Sequence, residues 1–226
     1  MKTEYREHPL GTPGLSARRM ARLAGPSQPL LRFFASLFPG PRGAAASWEK
    51  GAEGEEAVAR KLGKLPRDYW ITLHDVPLGT RGRNVDHLVI GTGGVFSVNA
   101  KNLSGKVLVK TNAFLVGGFP EPHLRVARDE GERVSQRLSA VVGTPVPVDP
   151  VIVVMSPELR IDSQPDGVRV LALGDVTRWF QERGPILDRP AASRIYEAAR
   201  AKRTWSADVL SLRAASPAPS SHGDRG

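Results

Sequence analysis

The chain has 226 residues, with 32 Lys and Arg against 23 Asp and Glu, which gives a formal net charge of +9. It contains no cysteine, which excludes a disulfide scaffold, a zinc site built on thiolates and a cysteine nucleophile. Hydrophobic residues make up 40% of the chain, enough for one globular core.

No segment has the length and apolarity of a membrane span. The longest apolar run near the start, residues 30–38, is about half the ~20 residues that a span needs and is broken by Arg32. Glu4 and Glu7 near the N-terminus argue against a signal peptide. We therefore expect a cytoplasmic protein without an integral membrane span.

Both ends of the chain are predicted to be disordered. Residues 1–47 form a basic arm rich in Pro and Gly, with seven Lys and Arg against two Glu. This arm either binds phosphates by releasing counterions or is a solvated leader, and residues 30–38 within it either dock on the domain or lie on a membrane surface. The tail, residues 206–226, is small, polar and contains prolines.

The middle of the chain alternates helical and extended patterns. A helix is predicted from residue 47 or 48 to 62, and strands at 69–78, 85–90 and 95–102, with a hairpin turn at 91–94. A further hairpin arm covers 106–110 and 113–117. The remaining predicted elements are a helix at 123–142, a doubly covered strand at 150–155, a strand at 168–172 and helices at 175–182 and 188–205. This order predicts an α/β fold with a mixed β-sheet flanked by helices.

One acidic side chain lies on an apolar helix face. Glu55 falls on the same helical stripe as Val58 and Leu62. A buried carboxylate needs a partner or a metal because burial of an isolated charge is costly. Glu55 is therefore either a site residue or an acid that bonds a neighbouring strand or an arginine.

Two strands carry the other candidate residues. Asp86 lies in the second strand, while Asn99 and Lys101 share one face of the third, opposite Phe96 and Val98, whose face we expect to be the better buried. Oxygen ligands hold a divalent cation, and a lysine can neutralise charge that develops on phosphate. The pattern favours phosphodiester cleavage. Taken singly, Asp86 is also explained as an edge-strand acid and Lys101 as a side chain extending from a sheet face.

At this point the sequence resembles a known family. Residues 51–56 (GAEGEE), 84–90 (NVDHLVI) and 94–102 (GVFSVNAKN), followed by Gly105, are similar to the nuclease-related domain (NERD), which is placed in the PD-(D/E)XK nuclease superfamily. The resemblance covers roughly residues 48–160, the predicted NERD-like domain. Residues 161–205 then resemble an α/β extension that packs on the same domain.

The resemblance implies a restriction-endonuclease-like core. It implies Glu55, Asp86 and Lys101 as catalytic residues, and Asp86, Glu55 and Asn99 as ligands of Mg²⁺ or Mn²⁺. The superfamily has an acid two positions before the lysine, where this chain has Asn99. An amide oxygen binds a hard cation without contributing charge, so we expect the affinity for Mg²⁺ to be weaker.

Several nearby residues have both a functional and a structural explanation. Arg81 and Arg83, just before Asp86, either grip nucleic-acid phosphates or belong to a solvated loop. His87 points away from Asp86 by strand alternation, so we expect it to pack in the core. Glu130 is a weaker candidate for the outer part of the site. The five His are scattered singly, so a zinc site is not predicted.

We therefore expect a metal-dependent phosphodiesterase that processes nucleic acid, with DNA favoured over RNA as its partner. The alternative is a catalytically silent module on the same fold that binds nucleic acid or another partner. Because this chain has Asn99 where the superfamily has an acid, the sequence is compatible with both the phosphodiesterase and the silent module.

Overall fold

The computed structural model describes residues 41–78 and 84–210. Most of the predicted basic arm, the loop with Arg81 and Arg83, and most of the predicted tail lie outside these residues.

The described chain alternates helices and strands. The helices are α1 (Pro41–Leu62), α2 (His123–Val142), α3 (Val176–Gln181) and α4 (Arg189–Arg200). The first strands are β1 (Trp70–Pro77), β2 (Asn84–Gly91), β3 (Gly94–Asn102), β4 (Val107–Lys110) and β5 (Ala113–Val116). The later strands are β6 (Phe119–Pro120), β7 (Asp149–Met155), β8 (Leu159–Ile161) and β9 (Arg169–Ala172). Short 3₁₀ turns cover Leu173–Asp175, Lys202–Trp205 and Ala207–Leu210.

The strands form two mixed sheets. The large sheet has the order β1-β2-β3-β7-β9, in which β1, β2 and β3 pair antiparallel and β3, β7 and β9 pair parallel. The small sheet has the order β6-β5-β4-β8, and its β4–β8 pair is parallel. The predicted mixed α/β fold is confirmed.

Helices cover both faces of the large sheet. On one face, α1 packs Val58 and Leu62 into a core that includes Phe96 and Val98 of β3. On the other face, α2 and α4 pack into a core with β1 and β2, formed in part by Leu88, Ile90, Val134, Leu138, Ile195 and Tyr196. This second face carries Asn99 and Lys101 because they alternate with Val98 along β3.

Both faces of β3 are buried, so the expectation of one better-buried face was wrong. Ser97 and Asn99 are only 1% and 7% exposed, because α2 covers their face as α1 covers that of Phe96 and Val98. A strand with helices on both sides is buried over most of its length.

Two helix ends differ from the prediction. Helix α1 begins at Pro41, inside the stretch that was predicted to be a disordered arm, because proline suits a first helical turn and Ala44–Ala46 favour helix. Helix α4 ends at Arg200, and a 3₁₀ turn follows in which Trp205 Nε1 donates to the carbonyl of Ala199 (2.7 Å).

The hairpin of β4 and β5 does not extend the large sheet. It belongs to the small sheet, where Val107 pairs with Leu159 and Val109 with Ile161. The partner strand β8 has only three residues, too short to give a clear alternating pattern. Among the described residues, none of the helices has the length and apolarity to cross a membrane.

Candidate functional site

The candidate site lies where β2 and β3 separate. Their pairing runs from Gly91↔Gly94 to His87↔Val98 and stops there. One step further, Asp86 Oδ2 accepts a hydrogen bond of 2.8 Å from the backbone N–H of Ala100. The carboxylate therefore replaces a strand–strand hydrogen bond and lies in the gap between the two strands.

Burial governs the charge of Asp86. It raises the pKa of this carboxyl, while the ammonium group of Lys101 and the hydrogen bond from Ala100 act in the opposite direction. The nearby carboxylate of Asp75 raises the pKa further. The position thus favours a bound cation, because a cation would stabilise the ionised form.

Asp75 is a second acid beside Asp86 that the sequence analysis missed. The register of β1 and β2, with His74↔His87 and Val76↔Val85, places it across from Asp86. Asp75 has a φ of 52°, in the left-handed region that Asp tolerates better than most residues, and its Oδ1 accepts a hydrogen bond of 2.7 Å from Asn84 Nδ2. Regular alternation gives no sign of this local distortion, so the sequence alone could not reveal the pair of acids.

Asn99 links the lysine to helix α2. Its Oδ1 accepts a hydrogen bond of 3.1 Å from Lys101 Nζ, and its Nδ2 donates one of 2.7 Å to Glu130 Oε1. Both ends of the amide are therefore engaged. The chain Glu130–Asn99–Lys101 holds the ammonium group on this side of β3, where its charge acts on Asp86.

The charge of Lys101 also lowers the pKa of His123, the first residue of α2. Burial lowers the pKa of His123 to about 4, and the positive charge of Lys101 contributes to this shift. The ring of His123 meets that of Phe114 edge-on, with centroids 4.9 Å apart. Lys101 thus points to the face that α2 covers, toward the junction with the small sheet.

Glu55 is half-buried on α1, the helix on the opposite face of the large sheet. Its backbone lies close enough to His87 to raise the pKa of that imidazole. The structure thus brings Asp86, Asn99 and Lys101 together from the strands, whereas Glu55 approaches from the other layer. Its role in the site stays a prediction.

His87 packs in the core beneath α1, as expected. It is fully buried, and its Nδ1 lies 2.8 Å from Nδ1 of His74, the residue opposite it on β1. Burial lowers the pKa of His87 well below its usual range, and the neighbouring His74 lowers it further. The pair is therefore a neutral, hydrogen-bonded part of the core rather than a catalytic group.

Comparison with known proteins identifies the family of this part of the chain. Residues 50–155 match the family model of the nuclease-related domain. This part of the chain is a nuclease-related domain. It contains every residue described so far in the site.

Similarity to individual proteins is more limited. An uncharacterised protein of Bacillus anthracis is 43% identical over 60 residues, which are 25% of this chain and 28% of that relative. The chain therefore matches less than a third of the relative's length. No solved structure matches the chain.

The donors in the nuclease-related domain suit a weak site for a hard cation. Asp86 and Asp75 supply carboxylates and Asn99 supplies an amide oxygen, which is already bonded to Lys101. Within 41–78 and 84–210, no three His, Cys, Asp or Glu side chains converge as a metal-binding group. Mg²⁺ often binds through one or two carboxylates and keeps several waters, so this donor set is compatible with it.

Proposed function

We propose that the chain is a metal-dependent phosphodiesterase that acts on nucleic acid, with DNA as its substrate. The observation that carries the proposal is the position of Asp86, held against the Ala100 amide in the gap between β2 and β3 and within reach of the charge of Lys101. The match of residues 50–155 to the nuclease-related domain supports the same conclusion. A cytoplasmic location remains a prediction.

Each residue has a distinct role in this proposal. Asp86 and Asn99, together with the neighbouring Asp75 and with Glu55 as the resemblance implies, would hold Mg²⁺ or Mn²⁺. The ion would supply Lewis acidity to a phosphate oxygen and lower the pKa of a bound water. Lys101 places a positive charge where negative charge develops on the phosphate during attack. Asn99 positions Lys101 by accepting its hydrogen bond.

The test is cleavage of labelled single-stranded, duplex and branched DNA with Mg²⁺ or Mn²⁺. We expect the parent protein to cleave at least one substrate, EDTA to stop cleavage and Asp86→Ala to lose it. Equal cleavage by the parent and Asp86→Ala would contradict the proposed role of Asp86.

A second function, a binding module without catalysis, is favoured by one specific observation. The position two residues before Lys101 carries a neutral amide whose two ends bond Lys101 and Glu130. A carboxylate there would add the charge that a divalent cation needs. The native site is then impaired while the fold and its affinity for nucleic acid remain.

The two functions are separated by restoring the acid. Asn99→Glu alone would set a carboxylate against Glu130, whose Oε1 lies 2.7 Å from the Asn99 amide nitrogen, so it is combined with Glu130→Gln to restore a donor. If the native site is impaired, the double variant cleaves DNA with Mn²⁺ and Glu130→Gln alone does not. If the parent already cleaves as fast as the double variant, the binding-module alternative is wrong.

A further inference from the structure

The positive charge of the middle of the chain is concentrated at its C-terminal end. Residues 189–205, which contain α4 and the turn after it, hold five Lys and Arg and one Glu. The rest of the stretch 48–205 holds 18 basic and 18 acidic residues and is therefore neutral. This segment lies beyond residue 155, outside the matched nuclease-related domain.

The basic segment borders an open groove. The groove has a volume of about 820 Å³ and runs between the end of α2 and α4. Its lining includes three arginines (Arg194, Arg200 and Arg203), one acid (Glu197) and apolar residues such as Val141 and Val142. Arg200 pairs with Glu197 (3.1 Å), whereas Arg194 and Arg203 form no ion pair with any described residue.

The turn that carries Lys202 and Arg203 is firmly attached. Thr204 is fully buried, and its Oγ1 donates to the carbonyl of Ala198 (2.6 Å). Arg137 of α2 donates to the carbonyl of Ser206 (2.5 Å) just after the turn. The cations are thus presented from a fixed surface, which reduces the entropy that binding would cost.

We infer that this surface, the arginine groove lined by Arg194, Arg200 and Arg203, binds the phosphate backbone of a nucleic acid. Arginine offers a planar fork of N–H donors that matches phosphate oxygens, and a surface with several arginines and a net positive charge attracts a polyanion. The inference rests on the proposed function, because it assumes that the same nucleic acid reaches the Asp86 site.

The arginine groove and the candidate site lie at opposite ends of one helix. Helix α2 starts at His123, whose pKa the charge of Lys101 lowers. The helix ends at Val142, which lines the groove. Its 20 residues span ~30 Å at ~1.5 Å per residue. A duplex needs about 9 base pairs to cover that length at ~3.4 Å per step, so only longer substrates touch both places.

The experiment measures the binding of a fluorescent 24-base-pair duplex and a 6-base-pair duplex, by anisotropy, between 50 and 200 mM NaCl without divalent cations. The variant is Arg194→Ala with Arg203→Ala. The control is Arg67→Ala with Arg178→Ala, which removes the same charge from two exposed arginines on the opposite face of the sheet. Arg67 follows α1, and Arg178 lies in α3 and pairs with Asp175 (2.7 Å).

For the long duplex, the groove variant is expected to show a slope of log K against log [NaCl] that is shallower by about 2, since each lost phosphate contact changes it by ~0.9. The control and the parent should keep the same slope, and the short duplex should show a smaller difference. An unchanged slope in the groove variant, while the parent binds the long duplex, would overturn the inference and leave the proposed function intact.

A polyglutamate probe separates the inference from an acidic protein partner. If polyglutamate binds through Arg194 and Arg203 and DNA does not, the groove serves a protein and the inference is wrong. If the groove variant loses DNA binding but cleavage is unaffected by Asp86→Ala, the inference stands and the proposed function fails.

Discussion

The position of Asp86 favours the binding of a cation but lowers the folding stability of the protein when the carboxyl is ionised. Its carboxylate accepts the Ala100 N–H, yet burial raises its pKa above the usual range. A group whose folded-state pKa is raised is more stable in the folded protein when protonated, so the ionised form opposes folding at neutral pH. The carboxylate hydrogen bond and its charge therefore have opposite effects on stability.

Two substitutions at Asp86 separate these effects. Asp86→Asn keeps an oxygen acceptor for Ala100 and removes the buried charge, so its free energy of unfolding at pH 8 should equal or exceed that of the parent. Asp86→Ala leaves the Ala100 N–H without its acceptor and should destabilise by about 1–3 kcal/mol. Urea denaturation measures both. An Asp86→Asn variant that is as unstable as Asp86→Ala would contradict this account of the buried charge.

The lowered pKa of His123 predicts that the protein loses stability in acid. Its pKa is about 4 in the folded protein against 6.5 for the unperturbed group, so the unfolded chain binds the extra proton between these values. Its contribution to stability is present above pH 6.5 and is lost as the pH falls toward 4. His123→Phe keeps a ring against Phe114 and removes this proton.

Denaturation at several pH values tests the prediction. Between pH 6 and 4.5, the free energy of unfolding of His123→Phe should fall less steeply than that of the parent, by up to about 1.4 kcal/mol per pH unit. The control is His8→Phe, which removes a histidine of the N-terminal arm. Identical slopes for the parent and His123→Phe would show that the folded-state pKa of His123 is not lowered.

At the scale of single elements, the position of α1 depends on Gly54, a residue without a side chain. A Cβ added at Gly54 would lie 2.9 Å from Asn102 Cβ and 3.2 Å from Met155 Cε, whereas one added at Gly51 would meet nothing within 4 Å. Both glycines are inside the same helix. The helix therefore approaches the end of β3, close to Lys101, only because residue 54 is glycine.

The two glycines make a matched pair of substitutions. Gly51→Ala should stabilise the protein by about 0.5–1 kcal/mol through helix propensity alone. Gly54→Ala gains the same propensity but pushes α1 away from β3, and we expect a net destabilisation of about 1–2 kcal/mol. Chemical denaturation of both variants checks the difference, and a stabilising Gly54→Ala would contradict the close contact.

The sequence predicted most elements because their patterns are local. The bounds of α2 were predicted correctly, and the three antiparallel strands were each found within about one residue. The small sheet was not predicted, because it depends on a parallel pairing between β4 and β8, whose paired residues are 52 positions apart in the sequence. Pairing over such a distance leaves no trace in the periodicity of either strand.

The same limit applies to the candidate site. Spacing alone placed Asn99 and Lys101 on one face and indicated Asp86 on the neighbouring strand. It could not show that Asp75 lies beside Asp86, since this depends on the distorted backbone of β1. The link between Asn99 and Glu130 was likewise hidden, because it joins a strand to a helix packed over it.

At the scale of the whole molecule, the two proposals place separate phosphate-binding regions at the two ends of α2. The Asp86 site lies between β2 and β3 near the start of α2, and the arginine groove lies at the other end of the same helix. The basic arm, residues 1–47, adds a net charge of +5 in sequence but lies mostly outside the described residues. If both proposals hold, the protein binds a nucleic acid along α2 and acts on it at one end.

The most direct test of this account is the single-turnover rate of DNA cleavage with Mn²⁺ in two lysine variants. Lys101→Met removes the charge that acts on Asp86. Lys106→Met removes an exposed charge that pairs with Glu158, just before β4 and β8. The account predicts a loss of about 10²-fold for Lys101→Met and no more than a twofold change for Lys106→Met. Equal rates in the two variants would contradict it.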